Sequence, residues 1–160
     1  MDIELKQITA KSEAFYTICE WFKSWWQKEE NLTPSETQAI MENSINETDF
    51  PRTYALFVDK KVVGVFQFTL FDLHVTPNIY PWLANVFVDE NERGKGYSKY
   101  LLDYACKVAK EIGIKRLWLF TSHVGLYERY GFEFEREVDT YTKNPRLQRI
   151  YFQDFNVDNE

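Results

Sequence analysis

The chain has 160 residues, a formal charge of −6 at neutral pH, ten tyrosines, thirteen phenylalanines and five tryptophans. That length suits one domain with one core, and that aromatic content excludes a disordered chain. The negative balance argues against a general nucleic-acid binder and is compatible with a cationic partner such as an amine, although moderate acidity also serves solubility alone.

The opening MDIELKQITA is charged and lacks an apolar signal core. No apolar run approaches the roughly 20 residues needed to cross a bilayer, so a soluble, cytoplasmic protein without a membrane partner is expected. Residues 2–8 alternate loosely and read as a first strand. In KSEAFYTICEWFKSWWQKEEN the spacing of Phe15, Ile18, Cys19, Phe22 and Trp25 predicts an amphipathic helix, with Trp26 beside that stripe. Thr33-Pro34-Ser35-Glu36 has the capping residue, the first-turn proline and the reciprocal glutamate of a second helix start, and this helix is expected to run to about Asn46. TYALFVD and VVGVFQFTLFDLHV flank Asp59-Lys60-Lys61 as an antiparallel hairpin. Pro81 then opens the strand WLANVFV, and proline is tolerated at a strand's first residue. A third helix follows Gly96, with Leu101, Leu102, Ala105, Val108, Ala109 and Ile112 on one side and Gly113 as a left-handed cap. IKRLWLF reads as a buried strand, HVGLYERYG as a short helix, and FEFEREVD and RLQRIYFQDF as two closing strands. The order is β-α-α-β-β-β-α-β-α-β-β, an α/β sheet of mixed direction. Cys19 and Cys106 fall in apolar helical patterns without CxxC or Cys/His spacing, and read as small apolar residues in a reducing compartment. His74 and His123 have no neighbouring ligand set, so no metal site is expected. The acidic clusters KEE and DNE read as solvated surface.

The segment Arg93-Gly94-Lys95-Gly96-Tyr97-Ser98 joins the strand ending at Val88 to the third helix. A glycine loop that feeds a helix can make an anion site. The first helical turn has unpaired N–H groups and partial positive charge, and glycines let an anion approach the backbone without meeting a Cβ. Arg93 and Lys95 add positive charge. An ordinary turn of the chain explains the same glycines. A Walker loop is absent, and the dinucleotide fingerprint fails because Lys99 stands where its last glycine is required.

The same segment resembles motif A of the GNAT superfamily of N-acetyltransferases: Arg or Gln, two residues, Gly, one residue, Gly or Ala. Arg93 and Gly96 match, and Ser98 replaces the final small residue. Downstream, Leu126-Tyr127-Glu128-Arg129-Tyr130-Gly131-Phe132 is similar to motif B of that family. The two motifs occur in the family's order with one helix and one strand between them. The resemblance covers roughly the whole chain and implies a single acetyltransferase domain over 1–160. It implies a mixed, mostly antiparallel central sheet flanked by helices, and acetyl-CoA as cosubstrate.

The resemblance also implies residue roles. Backbone N–H groups from Gly94, Lys95, Gly96, Tyr97 and Ser98 would hold a diphosphate, with Arg93 beside them. The strand at Val86, Phe87 and Val88 would pair with the pantetheine arm where it parts from IKRLWLF. A backbone N–H near Phe87 would face the thioester oxygen, and Tyr127 would protonate the departing sulfur. The acetyl group would pass directly to a primary amine of a small molecule or peptide. Many relatives place a glutamate on the strand before the glycine loop, whereas this chain has Asn85 there and no carboxylate. Asn85 can hold a water but cannot act as a base. His74 and His123 are candidate bases with an ordinary pKa of about 6.5, and Asp72 is a weaker one. Trp21, Trp25, Trp26, Phe71 and Trp82 are candidate walls of an acceptor pocket, or core. A non-catalytic acyl-CoA-binding sensor or interaction domain of the same fold stays open, as does another acyl group. Relatives often pair, so IYFQDF is a candidate to extend a sheet across a homodimer; completing the chain's own sheet explains the same residues.

Overall fold

The structure is a computed structural model that describes residues 1–156. Its elements are β1 (Ile3–Ile8), α1 (Glu13–Glu29), α2 (Pro34–Glu42), β2 (Arg52–Val58), β3 (Lys61–Thr69), β4 (Trp82–Val88), a 3-10 turn (Glu90–Glu92), α3 (Tyr97–Glu111), β5 (Arg116–Thr121), a second 3-10 turn (Tyr127–Tyr130), β6 (Glu133–Asp139) and β7 (Leu147–Asp154). The strands are ordered β1-β2-β3-β4-β5-β7-β6 and are mostly antiparallel, as the expected class requires. The chain divides into two compact units, Met1–Phe68 with Asn85–Leu101, and Thr69–Ala84 with the chain from Leu102 onward. The acidic DNE cluster lies outside the described residues.

In the first unit β1 and β2 are antiparallel from Ile3↔Val58 to Ile8↔Thr53, and β2 continues antiparallel to β3. Ser12 starts α1 by accepting the Phe15 N–H at 3.3 Å. The helix then buries Phe15, Ile18, Cys19, Phe22 and Trp26 against Ile8, Met41, Ala55, Val62 and Val65. Thr33 and Glu36 form the expected capping box on α2, at 3.1 and 3.0 Å. This helix ends at Glu42, short of the expected Asn46, because polar side chains take its last carbonyls. Asn43 Nδ2 donates to Ala39 O at 2.8 Å and Ser44 Oγ to Ile40 O at 2.6 Å. In β3, a Cβ on Gly64 would lie 2.8 Å from Leu101 Cδ1, so glycine is what lets α3 seat this closely.

In the second unit β5 pairs in parallel with β4 at Trp82↔Trp118, and β7 lies between β5 and β6, antiparallel to both. Both edges of β7 are therefore taken. Its aromatic residues complete the chain's own sheet, and the basis for a sheet extended through IYFQDF falls. The core holds Leu73, Ile79, Trp82 and Ile150. The hairpin arm expected to run through Val75 stops at Thr69. Beyond it the chain turns back on itself, with Thr76 N–H donating to Leu73 O at 3.0 Å and Ile79 N–H to Thr76 O at 3.1 Å. The expected helix HVGLYERYG is a single short turn, closed by Gly131 at φ +91°.

Candidate active site

In the first unit, β4 ends at Val88 and Asp89 anchors the turn after it. The Asp89 N–H donates to Val63 O at 2.8 Å, and its carboxylate caps the 3-10 turn by accepting from Asn91 N–H at 3.2 Å. Gly94 and Gly96 have φ of +83° and +82°, a conformation that strains any side chain, and a Cβ at either would meet nothing within 4 Å. The loop thus offers bare backbone with open space beside it. Tyr97 opens α3, whose first N–H groups have no carbonyl of their own helix to bond. Tyr97 is buried, its hydroxyl 3.8 Å from Met1 Sδ, while Ser98 is exposed.

The two cations of the loop differ. Arg93 Nε donates to Val88 O at 3.0 Å, and its guanidinium lies 5.0 Å from the centre of the Phe87 ring. It braces the loop against the strand. Lys95 pairs with Glu92 at 2.6 Å, so its charge is already offset, contrary to the expectation of a free positive charge. The hydrogen bond to Lys95 holds the Glu92 carboxyl below its ordinary range, and Glu92 in turn raises Lys95.

A cavity of about 680 Å³ opens beside this loop, lined by Val86, Phe87, Val88, Arg93 and the second half of α1. Trp21 and Trp25 form its aromatic wall, their rings 5.6 and 5.4 Å from Phe87. Trp26 departs from the expected placement. It is only 7% exposed, stacked on Phe22 at 4.8 Å, while Trp25 stays half-buried at the cavity. The signal was in the spacing, since positions 15, 18, 22 and 26 continue one helical stripe more closely than 25 does. Trp82 is core at 1% exposure, its indole N–H on Ile79 O at 2.6 Å, and Phe71 is 61% exposed on the surface.

Sequence reasoning missed a polar chain behind the same strand. Asn85 has φ +55° in the middle of β4. Its Nδ2 donates to Gln67 Oε1 at 2.6 Å. Gln67 Nε2 donates to Thr53 Oγ1 at 3.0 Å, and Thr53 Oγ1 donates to Ser44 O at 2.7 Å. A glutamine inside the apolar run VVGVFQFT was the available sign, because a buried amide requires partners.

The other candidates lie in the second unit. The Tyr127 ring meets Phe132 edge-on at 6.1 Å and Tyr151 at 6.4 Å. Burial pushes its phenol above the ordinary value, and Tyr130 pushes the same way. Among the described residues nothing hydrogen-bonds its hydroxyl. Next to it, Glu128 accepts from Tyr151 Oη and from Gly125 N–H, both at 3.0 Å. Burial would raise the Glu128 carboxyl, but these bonds, its own N–H and Arg149 hold it below its usual range. This network holds the turn and was not read from the sequence. His74 is exposed in the loop beyond β3, not near a strand end, and His123 is exposed between β5 and the turn, not at a helix start. Only the His123 backbone is tied down, its N–H on Thr121 Oγ1 at 3.1 Å. Among the described residues, Cys19 and Cys106 are free thiols that burial pushes up to about 11, and no group of residues could hold a metal ion. Among the same residues no helix is long and apolar enough to cross a membrane.

The profile of the Acetyltransferase (GNAT) family matches residues 15–132, a stretch that contains both the glycine loop and Tyr127. The chain belongs to the GNAT acetyltransferase family. It is 28% identical over 116 residues to a spermine/spermidine N(1)-acetyltransferase of Bacillus subtilis, covering 68% of this chain and 76% of that one. Among solved structures it resembles an N-acetyltransferase of Staphylococcus aureus Mu50, with a TM-score of 0.72, 16% identity and coverage of 96% and 99%. It also resembles a GNAT acetyltransferase of Elizabethkingia anophelis with acetyl-CoA bound, with a TM-score of 0.66, 14% identity and coverage of 96% and 98%. Acetyl-CoA, the cosubstrate the resemblance implied, is that of the GNAT acetyltransferase family to which the chain belongs.

Proposed function

We propose that the chain, acting as one domain, transfers an acetyl group to a primary amine of a small molecule by direct attack, with both substrates bound together. The observation that carries this reading is the pair of left-handed glycines, Gly94 and Gly96, with open space over their backbone beside a cavity of about 680 Å³. An anionic diphosphate fits that cradle: no side chain fills it, and the first-turn amides of α3 supply partial positive charge. The N–H groups of Gly94, Lys95, Gly96, Tyr97 and Ser98 would hold it, on a loop braced by Arg93. Bound acetyl-CoA supplies a thioester that an amine can attack. The strand segment Val86, Phe87 and Val88, which lines the cavity, would orient the arm that carries it, with a main-chain N–H near Phe87 serving the thioester oxygen.

Tyr127 is the proton donor in this reading. A phenol raised above about 10 stays protonated through neutral pH and can give its proton to a sulfur as that sulfur becomes basic. His74 and His123 remain candidates for taking the amine's proton. The kinship to a polyamine acetyltransferase favours a small polyamine as acceptor, and the acidic balance of the chain agrees. The test is thiol release from acetyl-CoA against a panel of spermidine, putrescine and a peptide with a free N-terminus, alongside calorimetry of acetyl-CoA. Turnover of a polyamine supports the reading. Tight cofactor binding without turnover on any amine would favour a non-catalytic binding domain.

A further inference from the structure

Tyr127 sits in a turn that carries its own clamp. The Glu128 carboxylate accepts the Gly125 N–H with Oε1 and the Tyr151 hydroxyl with Oε2, both at 3.0 Å. The first bond closes residues 125–128 on themselves, with Tyr127 inside the loop. The second ties that loop to β7, and its polarity is fixed. Arg149 Nε can only donate, and it donates to Tyr151 Oη at 2.9 Å. The hydroxyl's single proton then goes to Glu128 at 3.0 Å in preference to His123 O at 3.5 Å. Tyr151 is fully buried on the central strand of its unit, paired with Leu119 on one side and Phe134 on the other, so its ring is a fixed surface. Tyr127 rests on that surface. Its ring centre lies 6.4 Å from that of Tyr151 and 6.1 Å from that of Phe132, and among the described residues its hydroxyl has no partner. A phenol held by no hydrogen bond takes its direction from its backbone and its ring neighbours. Glu128 sets the backbone through Gly125 and a ring neighbour through Tyr151.

We propose that Glu128 and Tyr151 are positioning residues that fix the direction in which the Tyr127 phenol donates, and so act on turnover and not on cofactor affinity. This deepens the proposed function and rests on Tyr127 as its proton donor. As the amine nitrogen bonds to the thioester carbon, the carbon–sulfur bond breaks, its electron pair leaves with sulfur, and the Tyr127 proton joins that sulfur. The amine's proton passes to a base or to water, and solvent returns one to Tyr127. Glu128 and Tyr151 neither give nor take a proton in this step. The task suits a carboxylate, because its two oxygens accept from two donors at once. A glutamine keeps one accepting oxygen for Gly125 and turns an N–H toward Tyr151, whose proton must then seek another acceptor. The far side of the turn is closed by the Gly131 N–H on Glu128 O and the Phe132 N–H on Tyr127 O, both at 3.2 Å. Those bonds are main-chain, so the turn does not depend on the Glu128 side chain alone.

A clamp that only stabilised the fold would lower the unfolding temperature and act alike with or without the phenol. A double-mutant cycle separates the two roles. The variants are Tyr127→Phe, Glu128→Ala and their combination. The measurements are kcat and KM for the fastest amine of the panel, the Kd of acetyl-CoA by calorimetry, and thermal unfolding. Glu128→Ala should lower kcat about tenfold through misalignment of the donor, with amine KM and acetyl-CoA Kd within about twofold. Glu128→Gln keeps one of the two bonds and should recover part of the loss, to about threefold below the wild type. In the Tyr127→Phe background Glu128→Ala should cost less than about twofold, since no phenol is left to aim. Tyr151→Phe keeps the ring, removes the hydroxyl and should lower kcat about threefold, and it serves if Glu128→Ala does not fold. The proposal is overturned, and the acetyltransferase reading stands, if Glu128→Ala lowers kcat by the same factor in both backgrounds, or leaves it unchanged while Tyr127→Phe lowers it. A Tyr127→Phe enzyme with full kcat overturns the proton donor and the proposal with it. A wild type that binds acetyl-CoA but acetylates none of the amines overturns the proposed function as well.

Discussion

In residues 93–98 the groups proposed to meet a ligand are main-chain amides, and the side chains are turned to other tasks. Arg93 bonds Val88 O and Lys95 bonds Glu92. From Thr121 to Phe132 the arrangement is reversed. The phenols of Tyr127 and Tyr130 make no hydrogen bond among the described residues, and burial pushes that of Tyr127 up, while Glu128, Gly125 and Tyr151 are consumed in holding the turn. A grip made of backbone is insensitive to most substitutions and vulnerable where glycine is required. A proton donor made of a single side chain is vulnerable at that atom alone. The two stretches should therefore fail differently, one in affinity and the other in turnover.

The largest effect is expected from Gly96→Glu. A side chain at φ +82° costs about 1–2 kcal/mol of backbone strain, and the glutamate puts bulk and negative charge into the space left open for a diphosphate. Acetyl-CoA affinity should fall by roughly a hundredfold or more by calorimetry. Gly96→Ala should cost much less, because its Cβ meets nothing within 4 Å and only the strain remains. Normal affinity in Gly96→Glu would remove the diphosphate from this loop and dissolve the contrast.

Tyr127→Phe comes next and should act on kcat, lowering it by about a hundredfold, the lower range for loss of a general acid, with acetyl-CoA affinity within twofold. The sign of the pH dependence comes from burial. The folded phenol is held above its ordinary value, so the acid form persists through neutral pH. Any alkaline loss of kcat due to Tyr127 should lie above pH ~10 and be missing from the variant. The same shift favours the folded chain below the unfolded phenol's pKa of about 10, and that contribution disappears as pH rises through the higher folded value. A variant with full kcat would show that this side chain packs and donates nothing.

Legibility in the sequence divides along the same line. Strands β1 to β7, the start of α2 and the glycine loop were readable because alternation, a capping box and closely spaced glycines are local properties. The end of α2 was not, since Asn43 and Ser44 stop it by bonding carbonyls that a pattern search still assigns to a helix. Trp25 and Trp26 were exchanged because a choice between adjacent residues depends on which side of α1 faces Phe22 and Phe87. The chain from Asn85 to Ser44 was out of reach because its members come from β4, β3, β2 and the end of α2. Only the misfit of Gln67 in an apolar strand pointed to it.

The smallest effects lie inside the glycine loop, and they test whether its grip is backbone or charge. Arg93→Ala removes the bond to Val88 O at 3.0 Å and the contact with the Phe87 ring, so the loop loses its brace. A hydrogen bond from a charged group is worth about 1.5–3 kcal/mol, and part of that should appear as a roughly tenfold weaker acetyl-CoA Kd. Lys95→Ala removes an exposed cation, yet affinity should change by less than about threefold, because its charge is already paired with Glu92 in an exposed, solvent-screened ion pair. Glu92 keeps a second partner in Lys61 at 3.5 Å, so the turn before the loop stays in place. If Lys95→Ala weakened binding more than Arg93→Ala, and the deficit shrank with added salt, free charge would be holding the phosphates and main-chain amides would be secondary.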